Sequence, residues 1–232
     1  SPVRTDLRTR IVELCADLFE SIGLQTSVAA PYLASGSERG AVLDFVDHPL
    51  DNRWWFEDEF ARIRALTTES EKVSELERLR NWENPGPGGF YDDLGNPLRQ
   101  PHVVQQKAWN EDPGRVESTQ CEYSWNRWRQ RLSWQDQAQT LYGTPLRLRY
   151  DGLNLSASYR LSVVYTGRFQ PTMRLTANGS YEIHGPLAQP NPPQVLSYNL
   201  PAFVTSGGTL ELAWELFGGR GSQVAEVWLT RY

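Results

Sequence analysis

A chain of 232 residues that is 22% charged and 39% hydrophobic has the composition of an ordinary globular protein, long enough for one large core or for a sandwich plus a smaller helical part. A formal net charge of −5 with no basic run excludes a generic nucleic-acid binder, whose counterion release needs a basic footprint. No apolar stretch approaches the roughly 18 residues of a membrane-spanning helix, so neither nucleic acid nor membrane is expected as a partner.

Leu7, Ile11, Leu14, Leu18 and Ile22 recur at helical spacing and predict an amphipathic helix over 5–22, ending before Gly23. The polar stretch 25–40 reads as a loop. Asp51 or Asn52 can cap a second helix carrying Trp55, Phe56, Phe60, Ile63 and Leu66. Thr68, with Glu71 three residues on, forms a capping box that opens a third helix, whose apolar stripe is Val73, Leu76 and Leu79, through to about Trp82. So short a link predicts an antiparallel helical hairpin. These apolar stripes are too few to bury one another, so the helices are expected to pack on the rest of the chain.

From Asn84 to Pro97 periodicity vanishes, and seven of the fourteen residues are Gly or Pro. The stretch reads either as an interdomain linker or as a shaped loop presenting Tyr91, Asp92, Asp93 and Asn96 to a ligand or metal. Phe90, Tyr91 and Leu94 offer apolar anchors that a tether does not need, so the loop is expected to be ordered. Between Val103 and Tyr142 the chain reads as strand-like or irregular, with Trp109, Trp125, Trp128 and Trp134 close together. The run from Trp125 to Arg131 interleaves rings with cations, which cation–π stacking explains without any ligand.

After Pro145 the pattern becomes period-2. Leu146, Leu148 and Tyr150 share a face, as do Tyr159, Leu161, Val163 and Tyr165, then Leu210, Leu212, Trp214 and Leu216, then Ala225, Val227 and Leu229. Short alternating runs between turn signals predict half-buried antiparallel strands packed as a sandwich. Asn178-Gly179 predicts a two-residue hairpin turn, and Trp214 falls on the inward register. The proline-rich stretch Pro186 to Pro193 is expected to leave the sheet. Gly207-Gly208 and Gly218-Gly219-Arg220-Gly221 close the last turns, and the glycines beside Arg220 are a weak candidate for an anion cradle. The expected division is 1–83 helical, 84–102 an ordered Gly/Pro-rich loop, and 103–232 a β-sandwich.

Cys15 lies in an apolar helical pattern, so it and Cys121 are expected as thiols in preference to a disulfide. Two cysteines and the scattered His48, His102 and His184 lack zinc-ligand spacing. A chain that starts at Ser1 and whose sole methionine is Met173 is expected to be a mature form, a proteolytic product or an excised segment of a longer protein.

The segment from Pro145 to Tyr232 carries Tyr159-Arg160-Leu161-Ser162-Val163-Val164-Tyr165, Gly208-Thr209-Leu210-Glu211-Leu212-Ala213-Trp214 and Ala225-Glu226-Val227-Trp228-Leu229. It resembles the galactose-binding-like jelly-roll modules, the carbohydrate-binding modules appended to secreted bacterial polysaccharide-degrading enzymes. That resemblance implies a mainly β antiparallel sandwich of jelly-roll type with the helical segment packed on it. It also implies sugar binding by loop aromatics, an extracellular or periplasmic location, and in some members a structural calcium. The helical N-terminal region departs from the pattern and raises a catalytic domain of the same protein as a missing partner.

Nine Trp, ten Tyr and eight Phe suit a sugar-binding surface and a large core equally. The expected function is a non-catalytic carbohydrate-binding or accessory region with a polysaccharide or oligosaccharide as partner. Tyr91, Trp109, Trp125 and Trp128 would stack on sugar rings, and Asp92 and Asn96 would bond hydroxyls. Asp92 and Asp93 are the candidate calcium ligands, since clustered carboxylates suit a hard cation. One alternative is a segment of a glycoside hydrolase or polysaccharide lyase. Adjacent residues of a strand face opposite sides, so Asp92 or Asp93 would then need a partner such as Glu117 or Glu122, with Asp44 and Asp47 the other cluster. The other alternative is a purely structural or protein-interaction domain in which the tryptophans are core.

Overall fold

The computed structural model describes residues 10, 51–96, 99–107, 111–123 and 129–232. Apart from Arg10, the expected helix over 5–22 lies outside the described residues, as do the loop over 25–40, Cys15, Asp44, Asp47, Trp109, Trp125 and Trp128.

Helices α1 (Asp51–Ala65) and α2 (Glu69–Arg80) form the hairpin their spacing predicts. Asp51 and Asn52 fall inside α1 and not ahead of it. At α2 the capping box closes in both directions: Glu71 N–H donates to Thr68 Oγ1 at 3.2 Å, and Thr68 N–H donates to Glu71 Oε2 at 3.0 Å. Two of the backbone donors that a helix start leaves unpaired are thereby satisfied. Trp55, Phe56, Ile63, Leu76 and Leu79 bury against one another between the helices. On the outside Arg62 and Arg78 each bridge Glu59 and Glu75, one from each helix.

Eleven strands follow among the described residues: β1 (Phe90–Asp93), β2 (Gln120–Tyr123), β3 (Asp136–Gln139), β4 (Leu146–Asp151), β5 (Tyr159–Val164), β6 (Thr172–Ala177), β7 (Tyr181–Ala188), β8 (Val195–Leu200), β9 (Thr209–Gly218), β10 (Gln223–Val224) and β11 (Glu226–Arg231). A short helix, α3 (Ala202–Thr205), links β8 to β9. One four-stranded antiparallel sheet runs β1-β11-β5-β8 and the other β4-β9-β6-β7. Taken in chain order, those strands give first-eighth-third-sixth and second-seventh-fourth-fifth, the strand order of a jelly roll. A third, three-stranded sheet, β10-β3-β2, lies beside them.

The inward halves of the alternating runs make the core. Leu148, Tyr150, Leu161, Val163, Leu212 and Val227 are fully buried between the two four-stranded sheets. Trp214, also fully buried, donates from Nε1 to the Tyr165 hydroxyl at 2.9 Å, and that hydroxyl meets His184 Nε2 at 2.7 Å. His184 Nδ1 sits 2.7 Å from the Gly185 carbonyl and must donate there, so Nε2 accepts from the tyrosine. The indole N–H thus begins a chain in which no buried polar atom is orphaned.

Asn178 and Gly179 have φ of 51° and 71°, the positive pair a type I′ turn requires, and join β6 to β7. Two expectations are corrected. Pro186 does not leave the sheet but lies within β7, an edge strand where a missing N–H breaks no ladder. The stretch from Asn84 to Pro97 is not loop throughout, because Phe90–Asp93 form β1, with Phe90 opposite Leu229 and Asp93 opposite Glu226. Partnering by β11 supplied the order that local periodicity did not.

Trp214→Ala removes both the largest core side chain and the donor to Tyr165. It should lower stability by about 3–5 kcal/mol, read from the denaturant midpoint at unchanged slope; a loss below about 1 kcal/mol would place this ring outside the packed core.

Candidate functional site

Outward-facing residues of β11 and β1 build a buried polar cluster where the hairpin meets the sandwich. Glu226 is fully buried and accepts hydrogen bonds from Tyr91 Oη at 2.6 Å, Trp134 Nε1 at 2.6 Å and Trp82 Nε1 at 3.1 Å, with Arg131 Nε at 3.6 Å. A buried carboxylate is tolerable only when so surrounded. Trp82, just past the end of α2, also accepts at its carbonyl from Trp228 Nε1 at 2.7 Å. Its ring lies 5.2 Å from Trp55, 5.8 Å from Trp134 and 6.0 Å from Trp228. Arg131 stands 5.1 Å over Trp82 and 5.2 Å over Trp55, and it pairs with Glu83, which Arg99 also bridges at 2.5 Å. Arg131, the last cation of the run from Trp125, thus stacks on rings of the hairpin, while Trp125 and Trp128 lie outside the described residues.

Two further carboxyls complete the cluster. Asp93 is 7% exposed and Asp136 4%, and Asp93 Oδ1 and both Asp136 oxygens accept no hydrogen bond. Gly95 makes room for them, since a Cβ there would collide with the Asp136 carboxyl. Burial lifts the Asp93 carboxyl to about 7, with the charges of Glu226 and Glu83 adding to the rise and Arg99 and Arg131 opposing it. Burial, then the charges of Asp93 and Glu226, push Asp136 well above the usual carboxylate range. These are carboxyls that hold a proton where ordinary ones have lost it.

Asp92 points the other way, into the sandwich. Its Oδ2 accepts from Tyr150 Oη at 2.9 Å, and both its oxygens lie 2.9 Å from His102 Nδ1. It is fully buried. Asp92 and Asp93 therefore occupy opposite faces of β1 and do not converge on one cation, and no cluster of three or more His, Cys, Asp or Glu suited to a metal occurs among the described residues. Tyr91 is packed 5.3 Å from Trp228 and 5.6 Å from Arg99, with its hydroxyl on Glu226, so its ring is committed to the hairpin contact. Asn96 sits in the turn after β1, its N–H on the Asp93 carbonyl at 3.1 Å. Glu117 pairs with Lys107 at 2.7 Å, and Glu122 accepts from Gln139 at 2.9 Å; neither bonds Asp92 or Asp93. Cys121 is a buried thiol, 2.9 Å from Gln100 Nε2.

The hairpin covers only part of this sheet's outer face. Cross-strand register sets Trp228, Ser162 and Ser197 in one row, and Thr230, Arg160 and Asn199 in the next. Trp228 is covered by Trp82, whereas the β5–β8 side stays open, with Arg160, Ser197 and Asn199 exposed. There Ser162 Oγ and Ser197 Oγ are 2.8 Å apart and Arg160 Nε donates to Asn199 Oδ1 at 3.0 Å. Tyr232, 63% exposed, holds its ring 5.6 Å from the Arg160 guanidinium, and its N–H donates to the Ser158 carbonyl at 3.0 Å. Sequence reasoning overlooked this face, although its signal was the polar half of the alternation that revealed the core.

No protein-family model matches the sequence, and no curated protein does. Solved structures with similar folds include the ANX2 ectodomain from Arabidopsis thaliana, at 12% identity over 61% of this chain and 49% of that one, with a TM-score of 0.43. A β-glucuronidase of Bacteroides uniformis matches at 10% identity over 62% of this chain and 18% of its own, with a TM-score of 0.40. The C-terminal CBM6 of LamC, a marine laminarinase from Zobellia galactanivorans, matches at 13% identity over 61% of this chain and 98% of its own, with a TM-score of 0.34. The chain thus spans about half of the receptor ectodomain and less than a fifth of the glucuronidase. Likenesses this remote carry no inference about ligand or activity. Among the described residues no helix is long and apolar enough to cross a membrane.

The raised Asp93 carboxyl has a signed consequence for stability. Its folded value of about 7 exceeds the roughly 3.9 of an unfolded aspartate, so its favourable contribution is complete below about pH 4 and is lost as pH rises through 7. Asp93→Asn, neutral throughout, should gain stability relative to the parent by on the order of 4 kcal/mol between about pH 4 and pH 8. Denaturant midpoints at the two pH values measure it, and an identical difference at both would mean that this carboxyl ionises normally.

Proposed function

We propose that this chain is a non-catalytic carbohydrate-binding or accessory region of a polysaccharide-degrading system, working outside the cytoplasm, and that the saccharide lies on the open β5–β8 face. The observation that carries this reading is the register of that face. Arg160, Ser162, Ser197, Asn199 and Thr230 stand side by side beside the exposed ring of Tyr232. A sugar offers hydroxyls in a plane and C–H groups on its ring face, so it needs a row of short donors and acceptors together with an aromatic platform. Adjacent strands lie about 4.8 Å apart and alternate residues of a strand about 6.6 Å apart, which scales the patch to one or two sugar rings.

The carboxylates favour binding over hydrolysis. Glu226 is surrounded by donors, Asp92 is locked to His102 and Tyr150, and Asp93 and Asp136 are sealed under the hairpin contact. Glycoside hydrolysis instead needs two carboxyls flanking a bond that substrate can reach.

Tyr232→Ala should weaken binding to whichever oligosaccharide a titration panel identifies by about tenfold, the scale of one lost aromatic contact. The melting temperature should move little, because the ring is exposed. Unchanged affinity in this variant would remove the β5–β8 face from consideration.

A further inference from the structure

Arginines on the outer face of the second sheet, and Arg168 in the loop after β5, are paired with acids. Arg147 pairs with Glu211 at 2.6 Å, Arg149 with Asp151 at 3.0 Å, Arg174 with Glu215 at 2.5 Å and Arg168 with Glu122 at 3.4 Å. Arg160 is different. Among the described residues it meets no carboxylate, only the Asn199 amide oxygen through Nε and the Tyr232 ring. The rows around it hold Ser162, Ser197, Asn199 and Thr230, and the two acids in register on this face, Asp93 and Glu226, are buried under the hairpin. In a protein with net charge −5, an exposed strip that keeps an arginine and lacks an accessible carboxylate departs from the pairing seen at Arg147, Arg149, Arg168 and Arg174.

Asn199 and Tyr232 orient the guanidinium without neutralising it. With Nε engaged by Asn199, the Nη1 and Nη2 groups remain as a planar fork, the geometry that grips a carboxylate or sulfate through two parallel hydrogen bonds. The neighbouring serine hydroxyls and the Asn199 amide are the short groups that sugar hydroxyls would meet.

We infer that the open β5–β8 face selects an acidic saccharide, one bearing a carboxylate or sulfate group, with Arg160 receiving the anion. This rests on the carbohydrate-binding reading above and names its ligand class. Binding is then partly Coulombic, weakens as salt rises, and depends on the fork as well as on the charge.

Calorimetric titration of the full chain against four probes tests it: an oligogalacturonate, a sulfated oligosaccharide of similar length, and two neutral probes, a cello- and a laminari-oligosaccharide. An acidic probe should bind, and its affinity should fall by about tenfold in Arg160→Gln and by less in Arg160→Lys, which keeps charge but not the fork. The stronger of the two acidic arms identifies the anion. Arg160 is exposed, so a melting temperature close to the parent's verifies that the variants fold. Neutral probes binding as well as acidic ones, or acidic binding that Arg160→Gln leaves intact, would overturn the selectivity while leaving carbohydrate binding standing. No binding of any probe would overturn both.

Discussion

Everything on the outer side of the first sheet depends on one carboxylate. Glu226 sits where β11 would otherwise turn a side chain to solvent, and three elements converge on it: Trp82 from the end of the hairpin, Trp134 from the turn before β3, and Tyr91 from β1. Indole and phenol donors supply what a buried carboxylate lacks without adding charge, and Arg131 adds one cation nearby. Removing the acceptor would leave two indoles and a phenol orphaned together, which is why the contact ties the helices to the sandwich more firmly than ring packing alone would.

The same anchor divides the sheet. On the β1–β11 side Trp82, Trp134 and Trp228 form a closed aromatic layer over buried carboxyls. On the β5–β8 side nothing among the described residues covers Arg160, Ser197 or Asn199. A jelly roll with both outer faces open would have two equivalent surfaces to offer a ligand. The hairpin consumes half of one, and the second sheet's outer arginines are paired with acids. That leaves the β5–β8 strip as the outer sheet face on which, among the described residues, an exposed arginine stands without a carboxylate.

The sequence revealed the core clearly. Strands β4, β5, β9 and β11 announce themselves because one face is apolar at every second residue, and the Asn178-Gly179 turn and the Thr68–Glu71 box each have a local chemical signature. Strand β1 was illegible, since Phe90-Tyr91-Asp92-Asp93 becomes a strand only because β11 pairs with it, more than a hundred residues away. Asp92 looked like a ligand-facing group for the same reason. Acidic residues in a Gly/Pro-rich stretch suggest a surface loop, and only the fold reveals the Tyr150 and His102 partners that bury this one. Glu226 was visible within an apolar strand, but its three aromatic donors come from distant segments and no spacing rule links them. The site residues expected at Trp109, Trp125 and Trp128 lie outside the described residues.

The central claim is that the surface left open by the Glu226 anchor is the one that receives ligand. Amide and side-chain NMR shifts, followed while an acidic oligosaccharide is titrated into the labelled full chain, test it most directly. The account predicts perturbations grouped at Arg160, Ser162, Ser197, Asn199 and Tyr232, with the indole signals of Trp82, Trp134 and Trp228 unmoved. Perturbations centred on those indoles, with the β5–β8 signals still, would contradict it.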